Sequence, residues 1–265
     1  MRVLMAAAVA AMLATAMFAT PGLAADEGAC FVASNLVQAD FALPHTAAAI
    51  AEKRLNVAVI GSASSTLPAA AGGAPKAYPA QLEASLMRRL PGVAVKVTAH
   101  TQTRETAADM VKTLRQVLKD EKPDLVVWQT GTVDAMLGVD PDQFQSALGG
   151  GLDALREGKA DGVFMNMQYS PRTDSMVAMG PYIDAMRFIA LQREILLFDR
   201  LGVMNAWNEM KVFDLSAATK KNDVAERVHD CIGRLLSRLI VDGAKLGHAS
   251  NTGAGNMDHP NKDIR

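Results

Sequence analysis

The sequence predicts an α/β fold, in which helices cover both faces of a parallel sheet of about five strands. Short apolar segments of strand length alternate with longer amphipathic segments along the chain. The apolar segments are continuous, as is typical of strands that are buried on both faces. Because strands that alternate with helices pair in parallel through right-handed crossovers, we expect one three-layer α/β/α domain.

The predicted strands are short apolar segments, each followed by a turn or by a segment with helical periodicity. They comprise residues 56–60, 93–98, 123–129, 162–167 and 195–199. The second is rich in β-branched residues, which favour strands.

The predicted helices repeat apolar residues at helical spacing, as Leu82, Leu86 and Leu90 illustrate. They comprise residues 78–90, 106–120, 140–157, 181–194 and 223–242. Consecutive glycines at 149–151 are expected to weaken the third helix. Asp223 is a candidate N-cap for the last helix.

Residues 1–25 have the pattern of a secretory signal peptide. Arg2 precedes an apolar run that ends at Pro21 and is followed by small residues. A membrane anchor is the alternative, but the run lacks a basic stop-transfer flank. We therefore expect cleavage, no stable membrane span in the mature chain, and a secreted or periplasmic location. The folded domain is expected over residues 26–246, with a polar, flexible tail over residues 247–265.

The only two cysteines are Cys30 and Cys231. In an exported protein such a pair predicts one disulfide, and two buried free thiols are the alternative. Neither cysteine has a second sulfur or a histidine at ligand spacing, so we expect no metal site, and we expect no cofactor. The formal net charge of −1 provides no basic surface for a nucleic acid. The oligomeric state cannot be predicted from the sequence.

Ligands of such a sheet bind outside the carboxyl ends of its strands. Four loops are therefore of interest, namely those that follow Ile60, Thr98, Trp128 and Met165. Their sequences are IGSASS, HTQTRETAADM, WQTGTVDAM and NMQYSPR.

Together with HDCIGRLL in the last helix, these loops resemble the SGNH/GDSL hydrolase superfamily over roughly residues 45–240. The resemblance implies a flavodoxin-like sandwich that hydrolyses carboxyl esters of lipids, glycans or small acyl compounds. It also implies a serine nucleophile after the first strand, oxyanion donors after the first three strands, and a histidine base just before the last helix.

Two of the family's catalytic blocks are altered at the key positions. Gly61 matches the first glycine of the family's Gly-Asp-Ser turn, but Ser62 stands at the aspartate and Ala63 at the nucleophile. Arg104 falls on or near the glycine that follows the second strand. Because alanine has no nucleophile, the resemblance does not carry the family's mechanism over at Ala63.

The remaining blocks also differ from the family. Gly131 and Thr132 match the third block, and Asp134 keeps its last residue, but Val133 stands at the oxyanion asparagine. Before the last helix the family has Asp-x-x-His, whereas this chain has LSAATKKND, which contains no histidine.

Neighbouring residues could replace the missing groups. Ser62, Ser64 or Ser65 could act as nucleophile after a shift of one residue, or their hydroxyls could only cap the amides of the following turn. His229 could act as base, or it could be a helix histidine paired with a nearby carboxylate. His259, in the segment MDHPN, is a second candidate, although it follows the last helix.

Further polar residues near the strand ends are predicted to face a ligand. Asn166 and Gln168 lie in a polar, aromatic loop, and Gln129 ends the third strand. The Arg104 guanidinium could stabilise an oxyanion or hold an anionic ligand. We expect a cleft lined by Ser62, Ser64, Arg104, Gln129, Asp134 and Gln168.

Two functional hypotheses follow. In the first, the chain is a catalytically degenerate member of the superfamily that binds an acylated ligand of the cell envelope. In the second, it is a divergent carboxyl-ester hydrolase that uses a relocated serine and His229. Both imply a small-molecule, glycan or lipid ester as ligand. A structural partner in the envelope is a third, weaker hypothesis.

Overall fold

A computed structural model of the chain describes residues 30–216 and 222–254, with side chains up to residue 247. The predicted signal peptide and His259 lie outside the described residues. By its contacts the chain divides into two units, Met1–Phe31 and Val32–Arg265. Only Cys30 and Phe31 of the first unit are described, and the fold below is that of the second.

A single sheet of five parallel strands forms the centre of the described fold. The strand order is β2-β1-β3-β4-β5, and every pairing is parallel. This is the order of flavodoxin-like sheets. The strands are β1 (Arg54–Gly61), β2 (Ala94–Thr101), β3 (Leu125–Gln129), β4 (Asp161–Met165) and β5 (Leu196–Phe198).

The α-helices of the described residues pack in two layers on the sheet. They are α1 (Pro44–Ala51), α2 (Tyr78–Arg89), α3 (Ala107–Asp120), α4 (Thr132–Leu137), α5 (Pro141–Gly158), α6 (Pro171–Met176), α7 (Gly180–Gln192), α8 (Arg200–Glu209) and α9 (Asn222–Ala254). Helices α1 and α2 both pack against α9, and α3, α5 and α7 form the other layer. The prediction of a three-layer α/β/α fold with five parallel strands is confirmed.

Alternation along the strands divides the core between the two layers. Ile60, Trp128 and Phe164 are buried in the cluster that includes the apolar faces of α3, α5 and α7. Helix α5 remains intact despite its glycines, and Gly151 has a packing role. A Cβ on Gly151 would lie 2.2 Å from the Trp128 ring, so only glycine lets the helix approach the sheet this closely.

Four helices were not predicted, and one extends further than expected. Helices α4 and α6 are too short to show a helical period. Helix α8 buries residues 200, 203, 204 and 207 at helical spacing, a pattern that the sequence analysis did not use. Helix α9 continues to Ala254 instead of ending at Asp242, so the segment predicted as a flexible tail begins within a helix.

Both cysteines, Cys30 and Cys231, are disulfide-bonded, which confirms the predicted disulfide. In the part of the chain that the structure describes, no helix combines the length and the hydropathy that a bilayer crossing requires.

Because all strands are parallel, their carboxyl ends meet at one edge of the sheet, here called the carboxyl edge, and their amino ends at the opposite amino edge. The register pairs Ile60 with Trp128, Gln129 with Met165, and Met165 with Phe198. The segments that follow β1, β3, β4 and β5 are thereby brought side by side.

Candidate functional site

The serine-rich segment after β1 turns sharply at the carboxyl edge. Residues Ala63–Ser65 form a 3-10 turn, with Ser62 in extended conformation before it. A Cβ on Gly61 would lie 2.3 Å from the Ser65 hydroxyl oxygen and 3.4 Å from Gln129 Oε1. Gly61 is therefore needed so that the turn can fold back against the end of β3.

Gln129 is the centre of this arrangement. Its Oε1 accepts hydrogen bonds from the hydroxyls of Ser62 (3.1 Å), Ser64 (3.1 Å) and Ser65 (2.9 Å), and from the Ser62 backbone N–H (3.1 Å). Four donors share the two lone pairs of one carbonyl oxygen, so each bond is weak. We call Ser62, Ser64, Ser65 and Gln129 the serine cluster.

Several buried polar atoms beside the serine cluster have no hydrogen-bond partner. They include Gln129 Nε2, at the end of β3, and the hydroxyls of Thr130 and Thr132 in the segment that follows. Unpaired polar atoms are rare in protein interiors because each costs the free energy of its lost hydration. Several such atoms lie together here, and a bound molecule would supply the hydrogen-bond partners that they lack.

Arg200, the residue that opens α8, reaches the serine cluster from β5. Its side chain is fully buried. Nη1 donates to the Ser64 hydroxyl at 3.3 Å, and Nη2 donates to Gln168 Oε1 at 3.4 Å. Burial lowers the pKa of the Arg200 guanidinium to about 10, although the nearby Tyr78 acts to raise it. The guanidinium is therefore still charged at neutral pH.

Tyr78 and His229 lie behind the serine cluster. The Tyr78 hydroxyl and the Ser65 hydroxyl share a hydrogen bond of 2.9 Å, and the His229 Nδ1 accepts from the Tyr78 backbone N–H at 2.9 Å. A neutral imidazole that accepts at Nδ1 carries its proton on Nε2. Burial and the charge of Arg200 lower the pKa of His229 to about 3.

Access to solvent distinguishes the serines. Ser62 and Ser65 are buried, Ser64 is half-buried, and Ala63 is exposed. Ser64 is thus the cluster serine that a ligand can reach. Its hydroxyl contacts an amide oxygen, a guanidinium and, at 3.4 Å, the Ser62 hydroxyl, and none of these is a base.

Of two further residues expected in the cleft, one is engaged by the backbone of a helix and the other is exposed. The buried Asp134 carboxylate accepts from the Ala107 N–H at the start of α3, and burial raises the pKa of this carboxyl. The side chain of Arg104 is exposed, and its φ of 65° is a left-handed conformation that favours glycine. That conformation agrees with the alignment of Arg104 on a family glycine.

The third block keeps its backbone form. Gly131 has a φ of 97°, and a Cβ there would lie 2.8 Å from the Met167 sulfur, so the position requires glycine. Val133 lies in α4 and is half-buried, and an apolar side chain offers no oxyanion donor.

The loop after β4 has two roles. Asn166 is buried, donates to Asp199 Oδ1 at 2.7 Å and accepts from the Leu201 N–H at 2.9 Å, so it fixes the start of α8 instead of facing a ligand. Gln168 is half-buried and accepts a hydrogen bond from Arg200, which connects it to the serine cluster.

Sequence analysis missed Arg200 and Tyr78. Ligands bind outside the carboxyl ends of parallel strands, and Arg200 lies two residues after the end of β5. The segment after β5 was not among the loops considered. Within the described residues no group of three or more His, Cys, Asp or Glu side chains could hold a metal ion.

Comparison with known structures shows the same fold. An alpha/beta hydrolase enzyme from the metagenome of Lake Arreo, Spain, is 19% identical with a TM-score of 0.55, and the match covers 71% of this chain and 95% of that one. A catalytic mutant of an acetylxylan esterase from Geobacillus stearothermophilus is 17% identical with a TM-score of 0.55, covering 70% and 94%. Another acetyl xylan esterase is 15% identical with a TM-score of 0.54, covering 71% and 98%.

Sequence comparison identifies the family. Among curated proteins none matches this sequence. Residues 29–246 match the family described as non-GDSL lipase-like, which is most of the chain. The resemblance to SGNH/GDSL hydrolases is thereby confirmed, and the chain belongs to the non-GDSL lipase-like family.

Proposed function

We propose that this protein is an exported, ligand-binding member of its family that holds an acylated ligand at the carboxyl edge and does not cleave it. One observation carries the proposal. The hydroxyl of Ser64, the accessible serine of the cluster, is hydrogen-bonded to the Gln129 amide oxygen and to Arg200, and no imidazole or carboxylate of the described residues bonds to it.

A serine hydroxyl becomes an effective nucleophile only when a positioned base removes its proton. In a serine triad the histidine receives that proton on Nε2 and donates from Nδ1. His229 has the opposite tautomer, because Nδ1 accepts from Tyr78. With a pKa of about 3 it also binds protons too weakly to act near neutral pH. These two properties argue against a base role for His229.

Stabilisation of an oxyanion is also reduced. Val133 stands where the family has an asparagine donor, and the loss of one such donor costs roughly a hundred- to a thousandfold in rate. The described residues place no general base at Ser64, and the loss of that group costs roughly another hundred- to ten-thousandfold. Together these losses favour binding over hydrolysis.

Export is proposed from the signal-peptide pattern of residues 1–25 together with the disulfide of Cys30 and Cys231. Disulfides persist in oxidising compartments such as the periplasm or the extracellular space.

A divergent ester hydrolase is the second candidate. Ser64 accepts a hydrogen bond from the Arg200 guanidinium, and a neighbouring positive charge favours the alkoxide form of a serine. Structures of the same fold include acetylxylan esterases. In this alternative Ser64 is the nucleophile, and His229 must turn away from Tyr78 to accept its proton.

The test combines labelling by a fluorophosphonate with turnover of an activated acetate ester. We expect neither labelling nor turnover above that of Ser64→Ala. Ser62→Ala and His229→Ala extend the series, and Ser175→Ala, on the exposed side of α6, is the matched control. Turnover that is lost in both Ser64→Ala and His229→Ala but kept in Ser175→Ala would establish the hydrolase instead.

A further inference from the structure

Among the residues that the structure describes, the charge of Arg200 has no counter-ion. A guanidinium has five N–H donors. Two of them donate here, both to neutral oxygens and at distances well above the usual 2.9 Å or so. Nε is buried and has no partner. No carboxylate in the described part of the chain forms an ion pair with this side chain.

A carboxylate, that of Asp199, lies next to Arg200 in the sequence, but it pairs with a different arginine. Although Asp199 precedes Arg200, its carboxylate accepts from Arg187 at 2.9 Å, from Asn166 at 2.7 Å and from the Gly202 N–H at 2.9 Å. Burial opposes ionisation of Asp199, but these bonds outweigh it and lower the pKa of the carboxyl. The carboxylate beside Arg200 in the sequence is thus fully engaged elsewhere.

An unpaired buried charge is costly, and the protein compensates it only in part. The Tyr78 ring lies 5.7 Å from the guanidinium carbon, at a distance that allows a cation–π interaction. Replacing the hydration of a guanidinium requires stronger partners than one ring and two long hydrogen bonds. An anionic group is the partner that a guanidinium fork fits best.

Two further features locate that partner. Ser64 and Gln168, the two acceptors of Arg200, are both half-buried, so the charged end of the side chain borders the accessible part of the site. Gln129 Nε2 is a second donor group that is buried without a partner in the same cluster. Two donor side chains, one at the end of β3 and one at the start of α8, are therefore unsatisfied at one place.

We propose that Arg200 and the serine cluster form an anion site that binds the carboxylate of an acidic ligand, such as a fatty acid or a sugar acid. This proposal rests on the proposed function, because both concern the same site, and it specifies the chemical class of the ligand. The carboxylate pairs with the guanidinium, and Ser64 and Gln168 border it. The remainder of the ligand extends outward along the carboxyl edge.

Calorimetric titration with acetate, octanoate and glucuronate tests the proposal, with acetamide and octanamide as uncharged analogues. We expect saturable binding of at least one carboxylate and none of the amides. Arg200→Met is expected to weaken carboxylate binding at least thirtyfold or so, as loss of a buried charge partner does. Arg187→Met removes a paired arginine nearby and is expected to bind as the wild type does.

Thermal unfolding separates a ligand-binding arginine from a structural one. Without ligand, Arg200→Met is expected to melt no lower than the wild type, because it removes an unpaired buried charge. The proposal is overturned if no carboxylate binds the wild type at about 10 mM, if amides bind equally well, or if Arg200→Met keeps the wild-type affinity.

A measurement on the wild type covers the case in which Arg200→Met does not fold. Nitrogen-15 NMR of the arginine Nε–H groups is expected to show one buried signal that shifts on saturation with a carboxylate, and an unchanged set would contradict the site. Ester turnover is assayed separately. If the protein binds carboxylates and also turns over esters, the proposed function alone is rejected. If it neither binds carboxylates nor turns over esters, this inference alone is rejected.

Discussion

The charged groups at the two edges of the sheet differ in their partners. At the amino edge, Asp124 accepts from Arg54 Nη1 at 2.6 Å and from the Asn56 N–H at 2.8 Å. Asp161, which opens β4, accepts from the Thr46 N–H at 2.7 Å and so holds the start of α1. Both carboxylates are partnered by groups that the fold itself supplies.

At the carboxyl edge, the described residues offer no carboxylate partner to the charge of Arg200, and they leave Gln129 Nε2 and the Thr130 hydroxyl unpaired. A fold gains nothing from leaving such groups without partners. The two carboxylates at the amino edge hold the scaffold, whereas we infer that the unpartnered groups at the carboxyl edge are available to a ligand. Three predictions test that division.

The largest effect is expected from His229 on acidification. Its pKa is about 3 in the folded protein, because of burial and the charge of Arg200, against about 6.5 when unfolded. Between these pH values the unfolded chain binds a proton that the folded protein does not. The free energy of unfolding should therefore fall as pH drops from about 6.5 to about 3, by up to about 1.4 kcal/mol per pH unit.

Chemical denaturation from pH 3 to pH 8 measures this dependence. In His229→Asn the contribution disappears, so the difference in unfolding free energy between the two proteins should change below about pH 6.5 and stay constant above pH 7 or so. A difference that is independent of pH throughout would show that His229 is solvated.

The next effect concerns the amino edge. Asp161→Ala removes the acceptor of the α1 amides, and we expect it to lower the unfolding free energy by about 2 kcal/mol. Asp161→Asn keeps an acceptor oxygen and should lose less than half as much. Arg200→Met, at the carboxyl edge, should lose nothing. If Asp161→Ala is neutral and Arg200→Met is strongly destabilising, the division between the edges is wrong.

The smallest effect is expected at Thr130, whose buried hydroxyl has no partner. Thr130→Val replaces that hydroxyl by a methyl group, and the unfolding free energy should stay the same or rise by less than about 1 kcal/mol. Ser237→Ala is the control, because the buried Ser237 hydroxyl bonds to Ser85 at 2.7 Å and to Arg89 Nε at 3.0 Å. That variant should lose about 1 kcal/mol.

Local pattern was sufficient for the scaffold. Each predicted strand and helix exists, with bounds shifted by a few residues, because continuous apolar runs and helical spacing are properties of short segments. Helix α9 ran past its predicted end, since a polar, glycine-containing sequence does not mark where a helix stops when the preceding turns are anchored by packing.

The site was predictable only in its position. Parallel strands bring their carboxyl ends together whatever their side chains, so Ser62, Ser64, Gln129 and Gln168 were expected near one another. On the same basis Asp134 was expected to line the cleft and Asn166 to face a ligand, but both turn into the protein and hold the backbone of helices. Whether a polar residue faces in or out at a strand end depends on the partner that it meets.

The sequence by itself therefore determined the three layers of the fold, the parallel pairing of its strands and the disulfide. It also determined the sheet edge at which the candidate site lies. Only the tertiary structure decided which polar groups are partnered. Ser64 and Arg200 are 136 positions apart, and Tyr78 and His229 are 151 apart. The tautomer and low pKa of His229, and the missing counter-ion of Arg200, arise from burial and from contacts across these separations, which no local pattern records.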